Sequence, residues 1–371
     1  MLVGSKIPAL MTNLRSDCRL YFSNDHLSKV DLNEKCPVKT CSGPALLKIE
    51  FQKKWQLPYC PNCGIRLHPK SGTFVYHNGR TRDQQVQSRL RGIHFQREFF
   101  RRWILDSPHK AETHRLGYET SEDALSWNVF SALSEVGRLG HAAQLLIQKR
   151  VTAIPESQLY MWGNQVDFSQ GIFTPFQALR EAREVLEKEI RRFPTEPDIM
   201  LLIPGKLLIC IEAKFTSGNP LAQKRDIIRP DEKPKTVQSL LERYYDRWPT
   251  AAKLIDPSKI DATRFHSQLF RNIIFAAWMA EKMGIDWHVV NLVSGTQWAK
   301  RRTRREGAYD YQDPTTSIRD YLKADYKNRF TFFTWESLYS KIINKDPALN
   351  TLAEYLQHKT AFLEPAFNLD R

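Results

Sequence analysis

Residues 195–215, TEPDIMLLIPGKLLICIEAKF, constrain the fold more than any other part of the chain. The run is mostly apolar and reads as the centre of a sheet, yet Asp198 opens it and Glu212 and Lys214 sit near its end. A buried ionised group costs several kcal/mol unless it is paired or bound to a metal. Pro204-Gly205 is a turn signal, so Asp198–Ile203 and Lys206–Phe215 are expected to form a hairpin. In a strand, positions i and i+2 share a face, which puts Glu212 and Lys214 together. A two-residue turn would pair Asp198 with Ile211 and leave the two carboxylates on opposite faces. An odd-length loop or a bulge between residues 199 and 211 is therefore expected, with Asp198 and Glu212 in reach of one cation.

That arrangement carries a chemistry. Two adjacent carboxylates in apolar surroundings repel unless a divalent cation lies between them. Mg²⁺ is held by one or two carboxylates plus waters and substrate phosphate. A lysine two residues further on can orient or deprotonate an attacking water, or neutralise charge developing on a phosphate. The residue types point to phosphodiester hydrolysis with Mg²⁺ or Mn²⁺.

Charge points to the same class of substrate. The chain has 55 Lys plus Arg against 41 Asp plus Glu, a formal charge of +14, and an excess of this kind suits a polyanionic partner. DNA is the favoured partner, with RNA left open. Two basic stretches are candidates for phosphate contacts. GRTRDQQVQSRLRGIHFQREFFRRW reads as a helix with Arg97, Arg101 and Arg102, and AKRRTRRE carries Arg301, Arg302, Arg304 and Arg305. For each, a solvated basic segment is the plainer alternative. The longest apolar run, IIFAAWMA (273–280), falls far short of the roughly 20 residues a membrane span needs. No apolar h-region marks the N-terminus, so a cytoplasmic protein with reduced thiols is expected.

Reduced thiols make the cysteine spacing informative. Cys36 and Cys41, an 18-residue spacer, then Cys60 and Cys63 form C-x4-C and C-x2-C. The second pair is CPNCG, where Pro61 and Gly64 suit the tight knuckle around a thiolate, and LLKIEFQKKW (46–55) alternates like a hairpin. Four such sulfurs can surround a structural Zn²⁺ at about 2.3 Å with no open position. Core thiols, or His68 in place of one ligand, are the alternatives. Cys210 reads as a packed apolar residue.

Pro197-Asp198, thirteen intervening residues and Glu212-Ala213-Lys214 resemble the signature of the PD-(D/E)xK nuclease superfamily. The resemblance implies a restriction-endonuclease-like core of helix, three-strand meander, second helix and fourth strand. It also implies that Asp198 and Glu212 bind the metal and Lys214 assists the water. The chain supplies that order with helices at 121–137 and 263–283, AQLLIQKRVTAI as a strand or as a helix end followed by one, the 195–215 hairpin and WHVVNLVSG (287–295). FQALREAREVLEKEIRRF (176–193) reads as an exposed amphipathic helix, and 218–235 as a charged loop. Many members carry another acid on the first helix. Ser121 is its expected N-cap, and Glu122 lies about 40° from the centre of its apolar face, so Glu122 is the candidate metal ligand. A dipole role at the helix N-terminus is its alternative. On the second helix, Gln268 and Asn272 face either the site or solvent.

The expected fold class is α/β, a mixed central sheet flanked by helices plus a small zinc-ribbon domain. The divisions are 1–78 with the ribbon at about 34–68, a basic helical linker 79–114, a nuclease core 115–300 and a basic, helical extension 301–371. A metal-dependent DNA endonuclease is the leading reading, with restriction, phage defence, repair or mobile-element processing as settings. A non-catalytic nucleic-acid-binding module and a partner-docking subunit remain open, as do a homodimer and a partner protein. The ribbon makes its own prediction. Metal analysis of purified protein should return about one zinc per chain, and Cys60→Ser or Cys63→Ser should destabilise the N-terminal region. A well-folded, reduced and metal-free protein would remove the ribbon.

Overall fold

A computed structural model describes residues 19–20, 30–31, 36, 42–43, 60–62, 65–68, 73–76, 90, 92–105, 116–148, 157–190, 194–222, 236–301, 309–362 and 364–369. The expected hairpin at 46–55 and the assignments to Cys41, Cys63, Arg302, Arg304 and Arg305 lie outside those residues. The chain divides into two compact units, one of Met1–Ala132 with Ile343–Arg371 and one of Leu133–Ile342.

The first unit opens on small elements. Strands β1 (Ile65–His68) and β2 (Thr73–Tyr76) pair antiparallel. Just before them, the Cys60 N–H donates to Ile65 O at 2.9 Å across Pro61 and Asn62, and Cys36 N–H donates to Gly43 O at 3.1 Å. Cys36 and Cys60 are both buried. The basic stretch is not one continuous helix. A turn at 92–96 precedes one α-helical turn, Arg97–Phe100, which continues as a π-helical turn, Arg101–Leu105. The interruption has a local cause: Asn128 binds the turn's backbone, accepting from His94 N–H at 2.8 Å and donating to Gly92 O at 2.9 Å. Trp127 Nε1 donates to Phe95 O at 2.9 Å. These side chains satisfy groups that a helix would otherwise pair. They sit on α1 (Glu122–Glu135), where Ser121 Oγ accepts the Ala124 N–H as an N-cap should.

The second unit is built on a seven-stranded mixed sheet. In chain order its elements begin with α2 (Leu139–Ile147), β3 (Gln158–Met161), β4 (Asn164–Asp167), β5 (Ile172–Pro175) and α3 (Gln177–Leu186). They continue with β6 (Ile199–Ile203), β7 (Leu207–Lys214), β8 (Asn219–Pro220), α4 (Val237–Arg247), α5 (Ser267–Met283) and β9 (Asp286–Val293). The last are α6 (Gly295–Ala299), β10 (Tyr309–Asp310), β11 (Phe330–Thr334) and α7 (Trp335–Lys341). The strand order is β11-β9-β7-β6-β3-β4-β5. The β9 strand runs parallel to both β7 and β11, and the pairs from β7 through β5 are antiparallel.

Helix, meander strands, helix and strand thus occur in the expected order, with two additions. The AQLLI segment is the end of helix α2 and a strand, β3, follows it, the second of the two alternatives for that stretch. The β4–β5 hairpin and α3 are inserted between that strand and β6. The sheet also runs past residue 300, taking β11 as an edge strand beside β9. Continuous apolar strands such as β6 need cover on both faces. Met200, Leu202, Leu208 and Cys210 lie in one core cluster with residues of α3, α4 and α5, while α2 packs against β6, β9 and β11. Among the described residues, no helix is long and apolar enough to cross a membrane.

The α3, α4 and α5 layer is locked by a buried polar knot. Glu187, just past α3, accepts from Arg271 of α5, from Tyr244 OH of α4 at 2.8 Å, and from both Thr195 N–H and Thr195 Oγ1 at 2.6 Å. Burial pushes the Glu187 carboxyl up, but the Arg271 charge and the Thr195 hydrogen bonds outweigh it and hold the group below its ordinary value. A depressed carboxyl stabilises the fold above the unfolded pKa of about 4.3 and loses that contribution as pH falls through the folded value. Wild-type protein should lose melting temperature on acidification through that window. Glu187→Gln should melt lower at neutral pH and show a flatter acid limb, as thermal melts against pH will reveal.

Candidate active site

The site begins with a turn of odd length. Ile203 pairs with Leu207, so the β6–β7 loop holds three residues, Pro204, Gly205 and Lys206. Gly205 takes φ +67°, a conformation open to glycine at little cost. The ladder pairs Ile199 with Ile211, and one further step sets Asp198 opposite Glu212. The Asp198 carboxylate confirms the step by accepting the Ala213 N–H at 2.9 Å. Asp198 is also held through its backbone, since its carbonyl accepts the Trp162 N–H at 3.1 Å.

Trp162 belongs to the two-residue turn between β3 and β4. It is buried and takes φ 49°, and Gly163 beside it takes φ 74°. Positive φ at both turn residues matches the twist of a tight hairpin, but it is uncommon for a bulky side chain. A Cβ at position 163 would lie 2.8 Å from Leu179 Cδ2, so a larger residue there would have to displace the Leu179 side chain as well as adopt the positive φ. In the sequence, the Trp-Gly pair between QLYM and NQVD is the signal for this turn.

Glu212 and Lys214 share the face of β7 that carries Leu208 and Cys210, beneath α5. Glu212 is 0% exposed and Lys214 6%. The charges hold each other: Lys214 Nζ donates to Glu212 Oε1. Asn272 Nδ2 of α5 donates to Glu212 Oε2 at 2.7 Å, so of the two polar residues considered on this helix, Asn272 is turned to the site. Gln268 is half-buried in the first turn. Asn291, opposite Glu212 on β9, donates to the Glu212 carbonyl at 3.3 Å and exchanges hydrogen bonds with Asn219 of β8.

The chain leaving β7 is clamped on all sides. Lys214 O accepts from Ser294 N–H at 3.0 Å and from Trp335 Nε1 at 3.3 Å. Trp298 Nε1 donates to Ser217 O at 2.9 Å. Arg301 donates to Thr216 O at 2.6 Å and lies over the Tyr311 ring; it works first as a clasp on this loop rather than as an outward phosphate contact. Its neighbour α6 is capped from another element: Glu336 accepts the N–H groups of Gly295 and Thr296, both at 3.0 Å.

The remaining expected residues lie in the first unit. Glu122 is half-buried in the first turn of α1. Arg97 is half-buried, while Arg101 and Arg102 are exposed, Arg101 beside Glu98 at 3.1 Å and Arg102 over the Trp103 ring. Among the described residues, no group of three or more His, Cys, Asp and Glu side chains is gathered to hold a metal ion. Asp198 and Glu212, two carboxylates at facing ladder positions, are a donor set of the hard-oxygen type that suits Mg²⁺ or Mn²⁺.

A family model described as a restriction endonuclease associating with ARP matches residues 112–359. No curated protein matches the chain, and no solved structure does.

The ion pair makes a stability prediction. Removing one partner of a buried pair strands the other charge and costs about 3–5 kcal/mol, whereas neutral partners together are tolerated far better. Lys214→Met should lose that much in denaturant unfolding, and adding Glu212→Gln should recover most of it. Additive losses in the double variant would mean the charges do not hold each other.

Proposed function

The chain belongs to the family of restriction endonucleases associating with ARP, and from that premise we propose that it is a divalent-metal-dependent endonuclease hydrolysing phosphodiester bonds in DNA. The observation that carries this reading is the facing pair, Asp198 and Glu212, with Lys214 one hydrogen bond away. Asp198 and Glu212 would hold Mg²⁺ or Mn²⁺. When bound, such an ion supplies Lewis-acid polarisation of a phosphoryl oxygen. Asp198 is kept in position by the Ala213 and Trp162 N–H groups, and Glu212 by Asn272. Lys214 offers a hydrogen bond to the attacking water and positive charge to the phosphate as negative charge grows on it. The apolar strands around these groups keep the local dielectric low, which strengthens both effects.

Glu122 is a further candidate ligand from the first helix. The N-terminal cysteines would hold structural zinc, and the basic side chains, Arg101, Arg102, Arg302, Arg304 and Arg305 among them, would meet the DNA backbone. The family's description supports an ARP partner, and restriction or phage defence is the setting it favours. Within such a complex, the nuclease unit would cut while the partner contributes recognition or control.

The test is cleavage of linear, circular and single-stranded DNA by purified protein with Mg²⁺, Mn²⁺ or EDTA. Cutting of circular DNA with either metal and none in EDTA is the expected result. Asp198→Asn and Glu212→Gln should each lower the rate by about 10²–10³-fold, with DNA affinity kept. Protein that binds DNA but cuts nothing under any condition would leave the binding-module reading in its place. Charge reversal at Arg304 and Arg305 should weaken DNA binding alike for all sequences and flatten its salt dependence; an unchanged slope would remove these two arginines from the DNA contacts.

A further inference from the structure

Helix α5 presents two adjacent buried polar residues in different directions. Arg271 reaches Glu187 and Tyr244, and Asn272 reaches Glu212. Neighbours on a helix are about 100° apart, so when one is fixed the direction of the other follows. Arg271 is held firmly: its guanidinium donates to Glu187 through Nε at 3.0 Å and through a second nitrogen, and its Nε lies 3.1 Å from Tyr244 OH. Breaking that buried pair would strand a charge, so α5 is not at liberty to roll. Asn272, 1% exposed, therefore faces β7 as a consequence of the Arg271 knot.

The two oxygens of Glu212 have unlike partners. Oε1 meets the Lys214 ammonium, and Oε2 meets the neutral Asn272 amide at 2.7 Å. A cation drawn to the carboxylate competes with the Lys214 charge for Oε1, whereas a neutral amide offers no such competition. The Glu187 knot bears on the second carboxylate as well, because Glu187 binds Thr195, three residues before Asp198. One helix thus touches both arms of the site, one contact direct and the other relayed through Glu187.

We propose that Asn272 is a positioning residue for the cation site: it fixes Glu212 Oε2 and leaves Oε1, shared with Lys214, as the atom that changes partners. This rests on the reading of Asp198 and Glu212 as cation ligands. Partners that orient a metal-binding side chain carry about 10–100-fold in metal affinity or activity. Arg271 is the anchor that aims Asn272, and its loss acts through the fold first.

The test is Mn²⁺ binding to the full chain followed by electron paramagnetic resonance, together with DNA cleavage rates and melting curves, for wild type, Asn272→Ala and Asn272→Ser. Serine keeps a small polar group but removes the reach to Oε2, so it stands in if alanine does not fold. Folded variants should bind Mn²⁺ about 10–100-fold more weakly, with kcat reduced by a similar factor and KM for DNA unchanged. Wild-type Mn²⁺ affinity and kcat in a folded variant would overturn the proposal, as would an effect confined to KM. Loss of folding in both variants would also overturn it, making Asn272 a folding residue. Wild-type protein that neither takes up Mn²⁺ nor cuts DNA would fail the metal-site reading itself, a result distinct from a wild type that does both beside unaltered variants.

Discussion

The structure turns on a buried ion pair that an apolar sheet has no mechanical need to contain. Glu212 and Lys214 lie almost wholly out of water on β7, one strand from the centre of seven. Replacing such a pair with well-packed apolar residues is often neutral or stabilising, so its presence is a weak argument for stability and a stronger one for chemistry. Once the two charges are there, their surroundings must compensate for the lost water. Lysine and carboxylate meet each other, Asn272 takes the second oxygen, and Asn291 takes the backbone carbonyl of the same residue. Each partner comes from a different element, so the pair ties α5, β7 and β9 together.

Two features around it serve placement more than cohesion. The three-residue turn decides that Asp198 falls opposite Glu212, and a loop one residue shorter would send Asp198 to the other face. Trp162, buried at positive φ, gives up an easier backbone conformation and donates to the Asp198 carbonyl. Unusual backbone geometry of this kind persists where surrounding packing over-determines it, and here the packing includes Leu179 against the glycine that follows.

The loop beyond β7 shows the same economy with polar groups. The carbonyls of Lys214, Thr216 and Ser217 accept from Trp335, Arg301 and Trp298, side chains that combine a large apolar body with one or more donors. Indole N–H groups suit this task because they satisfy a buried carbonyl while the ring fills space. A loop so fastened carries no slack into the strand before it, and the lysine at the strand's end keeps its position beside Glu212.

Much of this was legible along the chain. Alternation has a period of two, so Glu212 and Lys214 had to share a face, and the parity of the turn followed from requiring Asp198 to join them. These are local rules, and the hairpin obeys them within twenty residues. The second helix and the β9 strand were legible for a similar reason, being long and strongly patterned. The start of the first meander strand stayed open between two alternatives because QLYM is short and follows an apolar helical run whose pattern resembles a strand's start. Asn272 could be singled out as polar but not aimed, because its contact with Glu212 spans 60 positions and Arg271 reaches Glu187 across 84. A helix's rotation against a sheet is set by packing and by buried charges meeting each other, and no local periodicity encodes it. The sequence alone therefore determined which groups are candidates for the chemistry and which strand face carries Glu212 and Lys214. Only the tertiary structure decided which neighbours hold them, because those neighbours become adjacent when helix and sheet close over a common core.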